Sequence, residues 1–170
     1  MRCVLLLRHA KSSWKDCGLA DHDRPLAPRG RRATKLLREH LRRESVAPAV
    51  ILCSSARRAH ETLKGIGPAL AKEVPVRIER ELYAAPAPRL LERLRALDDE
   101  VDSVLVIGHN PGLQQLALSL SGGGEQLDAM RRKYPTGALA TLEFGGSWSE
   151  LAPGSAELTD FVTPERLAKP

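Results

Sequence analysis

Aromatic side chains are scarce in this sequence: two Trp, two Tyr and two Phe among 170 residues. That scarcity argues against a nucleic-acid stacking platform, which needs aromatic faces interleaved with basic residues. Cysteine is scarcer still. Cys3, Cys17 and Cys53 are odd in number, widely spaced and lack a C-x-x-C pair, so neither a disulfide framework nor a zinc site is indicated. Cys3 and Cys53 fall in apolar stretches and read as small core residues. No apolar run approaches the roughly 20 residues of a membrane span. The apolar stretch before Arg8 is too short for a secretion signal, so a cytoplasmic location is expected. There is no internal repeat and no low-complexity segment.

What is present is ordinary in amount. The hydrophobic fraction is 42% and the charged fraction 28%, as in soluble globular domains. The length suits one domain spanning residues 1–170 with a sizeable core. A formal net charge of +5 favours an anionic partner but does not choose between phosphate esters, nucleic acid and acidic protein surfaces. The basic run RGRRATKLLREHLRR reads most simply as the solvated face of an amphipathic helix. Asp98, Asp99, Glu100 and Asp102 read as a charged turn, too clustered for a metal site.

Short apolar runs predict buried strands in MRCVLLL (1–7), AVILCSS (49–55) and SVLVIG (103–108), with a shorter one in VPVRI (74–78). GALATLEF and AELTDFV read as later strands. Helical spacing predicts helices over 31–43, 56–72, 87–97 and 113–122, the last stopping at the glycine run Gly122–Gly124. Ser54 and Ser55 are candidate caps of the second helix. Asn110 and Pro111 are the candidate cap and first residue of the fourth. Residues 12–30 are a loop, rich in Gly, Pro, Asp and Ser, and the tail beyond Phe161 is expected to be loosely held. Alternating strands and helices imply an α/β fold, a three-layer α/β/α sandwich around a mostly parallel central sheet.

Three of the strands share a chemical feature. The first ends at Arg8 and His9, the second leads to Ser54, Ser55, Arg57 and Arg58, and the third ends at Gly108, His109 and Asn110. Open α/β sheets bind ligands at the carboxyl ends of their parallel strands. If these strands are neighbours, two histidines and at least two arginines converge on one crevice. Arginine offers a planar fork of donors to phosphate oxygens, and neutral histidine a nucleophilic nitrogen. Phosphoryl transfer needs little beyond such positioning and charge stabilisation. Arg57 and Arg58 point about 100° apart on a helix, so one crevice takes only one of them. His22, His40 and His60 read as surface residues.

The segments LLLRHAKSSW, DHDRPLAPRGRRA, ILCSSARRAHET, LYAA, VLVIGHNPGL and PTGALATLEF resemble the histidine phosphatase superfamily, phosphoglycerate mutase-like in fold. They resemble in particular its compact branch, the SixA-type phosphohistidine phosphatases, over nearly the whole chain. The resemblance implies that His9 is the nucleophile, that Arg8 and Arg58 bind the phosphoryl group, and that His109 is the second histidine. Arg58 is singled out by the pattern Arg-Ala-x-x-Thr, ending at Thr62. Arg24, in DRPL, resembles a further phosphate-side arginine, its alternative being a loop-shaping salt bridge with Asp21 or Asp23. Two positions depart from the superfamily pattern. The common Arg-His-Gly reads Arg-His-Ala. The region that carries an acidic proton donor in many members reads ERELYAAP, and the sequence does not place its Glu81 in the crevice.

The expectation is therefore a phosphatase with a covalent phosphohistidine intermediate, needing no metal and no cofactor. Its substrate would be a phosphorylated protein, with inorganic phosphate or a similar anion in the site, and neither nucleic acid nor membrane as partner. The alternatives are a small-molecule phosphomonoester phosphatase of the same superfamily and a non-catalytic phosphate-binding module.

Overall fold

The computed structural model describes residues 1–170. In chain order the elements are β1 (Arg2–Arg8), α1 (Pro28–Arg43), β2 (Val50–Ser54), α2 (Arg57–Ile66), β3 (Val76–Glu79), α3 (Ala87–Arg95), β4 (Ser103–Gly108), α4 (Gly112–Leu120), β5 (Ser121–Gly123), α5 (Leu127–Arg132), β6 (Leu139–Phe144), β7 (Ala156–Val162) and α6 (Pro164–Leu167). The strands form one seven-stranded sheet in the order β3-β2-β4-β1-β6-β7-β5. β6 is antiparallel to both of its neighbours, while every other pairing is parallel, so β6 alone runs against the rest.

The unbroken apolar runs of β1, β2 and β4 follow from burial on both faces. Along β1, Val4 and Leu6 enter one core with Val50, Leu52, Val104 and Val106. Leu5 and Leu7 enter the other with Ile51, Cys53, Leu105 and Ile107. Leu37 and Leu41 of α1, Ala59 and Ile66 of α2 and Leu167 of α6 cover the second face. Leu90 and Leu94 of α3, Leu113, Leu116 and Leu120 of α4 and Met130 of α5 cover the first. This is the expected three-layer sandwich, with period-2 alternation deciding which layer each strand residue meets.

Several boundaries differ from the sequence reading, each for a local reason. α1 begins at Pro28, three residues earlier than predicted, because proline suits a first turn whose N–H groups have no helical partner. α2 ends at Ile66, and Gly67–Ala69 tighten into a 3-10 turn, since Pro68 cannot continue the helical ladder. Ser54 and Ser55 do not cap α2, whose N-cap is Ala56. α4 starts at Gly112 with Pro111 before it, and Asn110 Oδ1 accepts the Gln114 N–H at 3.2 Å. The glycine run does more than stop α4, because Ser121 and Gly123 pair with β7 as β5. The tail is tied down: β7 runs to Val162, and the Thr163 hydroxyl accepts the Arg166 N–H to cap α6. His40 is buried, not superficial, with Nε2 3.9 Å from Asp160. No helix is long and apolar enough to cross a membrane.

Two glycines mark where backbones meet at the carboxyl edge of the sheet. A Cβ at Gly30 would lie 2.1 Å from the Lys11 carbonyl oxygen, and one at Gly112 would lie 2.0 Å from that of Ala85. Gly112→Ala is expected to destabilise the fold by about 1–3 kcal/mol through forced separation of α4 from the 83–86 segment. Gly67→Ala, with nothing within 4 Å of its Cβ, is expected to be near neutral. Equilibrium denaturation of both variants checks the contrast. Equal stabilities would mean that the Gly112 contact relaxes freely.

Candidate active site

The register of the central strands builds the site. β1 and β4 pair with Arg8 opposite Gly108, so the next residues, His9 and His109, emerge side by side. The His9 N–H closes the ladder on the Gly108 carbonyl at 3.0 Å, and the two imidazole centroids are 5.1 Å apart. β2 flanks β4 on its other side and delivers Ser54, whose Oγ lies 2.7 Å from His109 Nε2. Arg58, the second residue of α2, reaches over both rings. The four residues expected to converge, Arg8, His9, Arg58 and His109, are therefore gathered at the carboxyl ends of three neighbouring parallel strands.

His9 is 6% exposed, and its Nδ1 lies 2.8 Å from the Ala10 carbonyl oxygen. A carbonyl only accepts, so Nδ1 carries the proton and Nε2 carries a lone pair. That lone pair accepts the Arg58 Nε–H at 3.3 Å. Burial pushes the His9 pKa down to about 3, opposed by the Ala10 carbonyl and reinforced by His109, Arg58 and Arg8. Burial and then Arg58 likewise bring His109 to about 4. Both rings are neutral near pH 7. His109 Nδ1 accepts an Arg58 Nη2–H at 3.4 Å, which leaves Nε2–H to donate to the Ser54 hydroxyl.

The Arg58 guanidinium is held on its far side by Asp21. Nη1 donates to the Asp21 carbonyl at 2.7 Å and Nη2 to its Oδ2 at 3.0 Å. The pattern Arg-Ala-x-x-Thr has a visible cause. Thr62 Oγ1 accepts the Ala10 N–H at 3.0 Å and donates to the Arg58 carbonyl at 2.7 Å, which locks α2 to the loop after His9. Arg57 points to solvent, paired with Glu61 at 3.0 Å. Arg8 donates through Nη1 to the Tyr134 carbonyl at 2.9 Å, while its Nε is buried without a partner. Burial and the nearby Arg58 cation pull the Arg8 pKa below its ordinary value. An oxyanion between the two guanidiniums would relieve that repulsion.

Arg24 is buried but spent on the loop. It pairs with Asp21 at 3.1 Å, donates to the Ser12 hydroxyl at 2.8 Å and stacks 3.5 Å from the Trp14 ring centroid. The loop-shaping salt bridge, one of the two readings of this residue, is thus observed. Glu81 is exposed on a 3-10 turn and makes no hydrogen bond in the crevice. Tyr83, two residues on, does reach it, donating its hydroxyl to Asp21 Oδ2 at 2.5 Å with its ring edge-on to His109. His22 is not a free surface residue. Its Nε2 lies 2.8 Å from Ser55 Oγ and its ring meets Tyr83 edge-on. Tyr83 and His22 are the site residues that sequence reasoning missed, whereas Ser54, named at the end of the second strand, gains a contact with His109 that its cap reading did not anticipate. Hydrogen bonding to Tyr83, joined by Arg58 and Arg24, holds the Asp21 carboxyl well below the usual carboxylate range. Nowhere do three or more His, Cys, Asp or Glu side chains converge as they would to hold a metal ion.

The two depressed histidines predict a pH dependence of stability. An unfolded chain protonates its histidines near pH 6.5, whereas the folded protein holds His9 and His109 neutral to about 3 and about 4. Between these limits the unfolded state binds more protons, so stability falls as pH falls, by up to about 1.4 kcal/mol per pH unit for each ring. Denaturant unfolding at about pH 7 and about pH 5 should show this loss, and His9→Ala or His109→Ala should shrink it. An undiminished loss in both variants would assign the acid sensitivity to other groups.

Comparison with known proteins agrees with this geometry. The family model of the histidine phosphatase superfamily (branch 1) matches residues 4–85. An uncharacterized protein of Mycobacterium leprae is 41% identical over 164 residues, covering 93% of this chain and 99% of the relative. Among solved structures, a candidate phosphohistidine phosphatase SixA from Nakamurella multipartitia superposes with a TM-score of 0.82 at 30% identity, covering 96% of each chain. A protein histidine phosphatase SixA complexed with tungstate superposes with a TM-score of 0.76 at 25% identity, covering 97% of this chain and 99% of the other. With its paired histidines and arginines at the carboxyl ends of β1, β2 and β4, the chain belongs to the histidine phosphatase superfamily.

Proposed function

We propose that this protein removes the phosphoryl group from phosphohistidine on a protein, through a covalent phosphohistidine intermediate on His9. The observation that carries the reading is the tautomer of His9, fixed by Ala10 so that the Nε2 lone pair faces Arg58. In this mechanism Nε2 attacks phosphorus in line. An N–P bond to His9 forms as the bond from phosphorus to the substrate imidazole breaks. The departing nitrogen keeps the electron pair and takes a proton from solvent. Water then attacks phosphorus and gives up a proton, the His9 N–P bond breaks, and inorganic phosphate leaves. Arg8 and Arg58 neutralise the equatorial oxygens through both steps. The Ser54 hydroxyl can donate as well as accept, so His109 can move its proton to Nδ1 and offer it to a phosphoryl oxygen.

The leaving group supports the substrate class. Serine and threonine esters leave as alkoxides, which need an acid to protonate them. The one carboxylate bonded to the site arginines, Asp21, is held ionised and has no proton to give. Imidazole is far less basic and can be protonated by solvent. The crevice border also suits a folded substrate. The connections after β2, β3 and β4 are short, and only the segment between β1 and α1 is long. The SixA neighbour complexed with tungstate, a tetrahedral oxyanion, supports phosphate as the species this crevice receives.

Acid-quenched protein is expected to carry phosphate from a labelled phosphohistidine substrate, and His9→Ala is expected to carry none and to lose turnover. Near-normal turnover by His9→Ala would end the covalent reading.

The kcat/KM on a phosphohistidine protein or peptide is expected to exceed that on matched phosphoserine and phosphothreonine peptides and on sugar phosphates at neutral pH, with no loss in EDTA. Efficient hydrolysis of a small phosphoester with phosphohistidine left intact would favour the phosphomonoesterase alternative.

A further inference from the structure

A groove of about 780 Å³ lies beside the crevice, between α1, α6 and the 133–136 segment, and its lining is strongly basic. Lys11, Arg29, Arg32, Lys35 and Lys133 line it, against two carboxylates, Glu39 and Glu165. None of the five cations takes part in a salt bridge, although arginines elsewhere in the chain find carboxylate partners. The basic stretch at the start of α1, which reads from sequence as a solvated face, thus forms one wall of a concavity. Arg29, Arg32, Leu36 and Glu39 recur at helical spacing along that wall, while Leu37 and Leu41 turn to the core.

Two of the groove's lining residues are near neighbours, in sequence, of residues in the crevice. Lys11 is two residues beyond His9, so their Cα atoms are no more than about 7 Å apart. Pro135, another lining residue, follows Tyr134, whose carbonyl accepts Arg8. A chain that presents a phosphorylated side chain to His9 must continue over neighbouring surface, and this groove is part of that surface.

We infer that the groove is a docking site for an acidic peptide segment of the phosphorylated substrate, flanking the phosphohistidine. The inference rests on the protein-phosphohistidine reading and adds the charge of the sequence around the phosphoryl group. Charge complementarity carries it: an excess of unpaired cations in a concave wall raises the local concentration of anionic groups and steers their approach. Leu36, Pro135 and Pro164 give a peptide apolar contact between the charges. Nucleic acid is disfavoured because no aromatic side chain lines the groove on which a base could stack.

The test compares three probes: free phosphohistidine, a synthetic phosphohistidine peptide flanked by glutamates, and the same peptide flanked by glutamines. Each is assayed with wild-type protein and with Arg32→Glu and Lys35→Glu, both exposed residues outside the catalytic set. Wild-type kcat/KM is expected to favour the acidic peptide by roughly tenfold or more at low salt, shrinking as ionic strength rises. The charge reversals should remove most of that preference through KM and leave turnover of free phosphohistidine unchanged, which also shows that the variants fold. Equal kcat/KM on the two peptides, or a preference that survives both reversals, would overturn the inference. So would single-stranded nucleic acid that binds in an Arg32-dependent way while the acidic peptide gains nothing. Binding of the unphosphorylated acidic peptide, measured by fluorescence anisotropy, reports on the groove alone. If no probe is hydrolysed the function is wrong, and the groove stands or falls on this measurement.

Discussion

A guanidinium buried as deeply as that of Arg58, only 6% exposed, must have its donors satisfied or the fold loses several kcal/mol. Here the acceptors come from three separate parts of the chain: the His9 ring, the His109 ring, and the carbonyl and carboxylate of Asp21. Each must be in place for Arg58 to stay buried. The demand explains the 3-10 turn at Asp21–Asp23, which places both Asp21 acceptors against α2, and the Arg24 salt bridge that secures it. It explains Thr62 as well, whose hydroxyl ties α2 to the chain just beyond His9. A single buried cation therefore makes the long β1–α1 loop, α2 and two strand ends one cooperative unit.

The same burial sets the chemistry of the rings. Burial is the largest cost of charging His9 and His109, and the nearby Arg58 and Arg8 cations add to it. Their neutrality has two consequences. His9 keeps a lone pair, and the positive charge of the crevice resides on the guanidiniums. Asp21 completes the pattern, because its bonds from Tyr83, Arg58 and Arg24 make it an acceptor and not an acid. The site thus keeps three kinds of group apart: neutral imidazoles with a free lone pair, guanidiniums that carry the positive charge, and a carboxylate that aligns Arg58.

What the sequence made legible follows from where the information is local. Val4 to Leu7 running into Arg8 and His9 declares a buried strand with a charged end, and the same holds at Ile107 to His109. Parallel neighbours in register then leave the two histidines no choice but adjacency. Ser54 was harder, because a serine before a helix reads as a cap, whereas its hydroxyl meets His109, 55 residues away in sequence. Tyr83 bonds Asp21 across 62 residues, and its segment LYAA, though part of the family resemblance, gives no local sign of that contact. Its neighbour Glu81, the more obvious carboxylate, sits on an exposed turn. β5, α5 and α6 span three, six and four residues, too short for a hydrophobic period to show. His40 reads as polar surface, yet the packing of α1 buries it near Asp160.

The cations of this chain fall into distinct populations, and the division bears on how the site works. Arg24 and Arg58 share Asp21, so part of their charge is answered within the protein. Arg8 has no such carboxylate, and Lys11, Arg29, Arg32, Lys35 and Lys133 have none either. The unanswered charge is gathered where β1 ends and α1 begins, which is the side from which His9 is approached along the chain. Screening limits such a field to about 10 Å at moderate salt, so these cations act on their own edge of the sheet. The acidic flanks of a phosphorylated segment would therefore be drawn to that edge, while the local pairing of Arg58 with Asp21 keeps the crevice itself ordered.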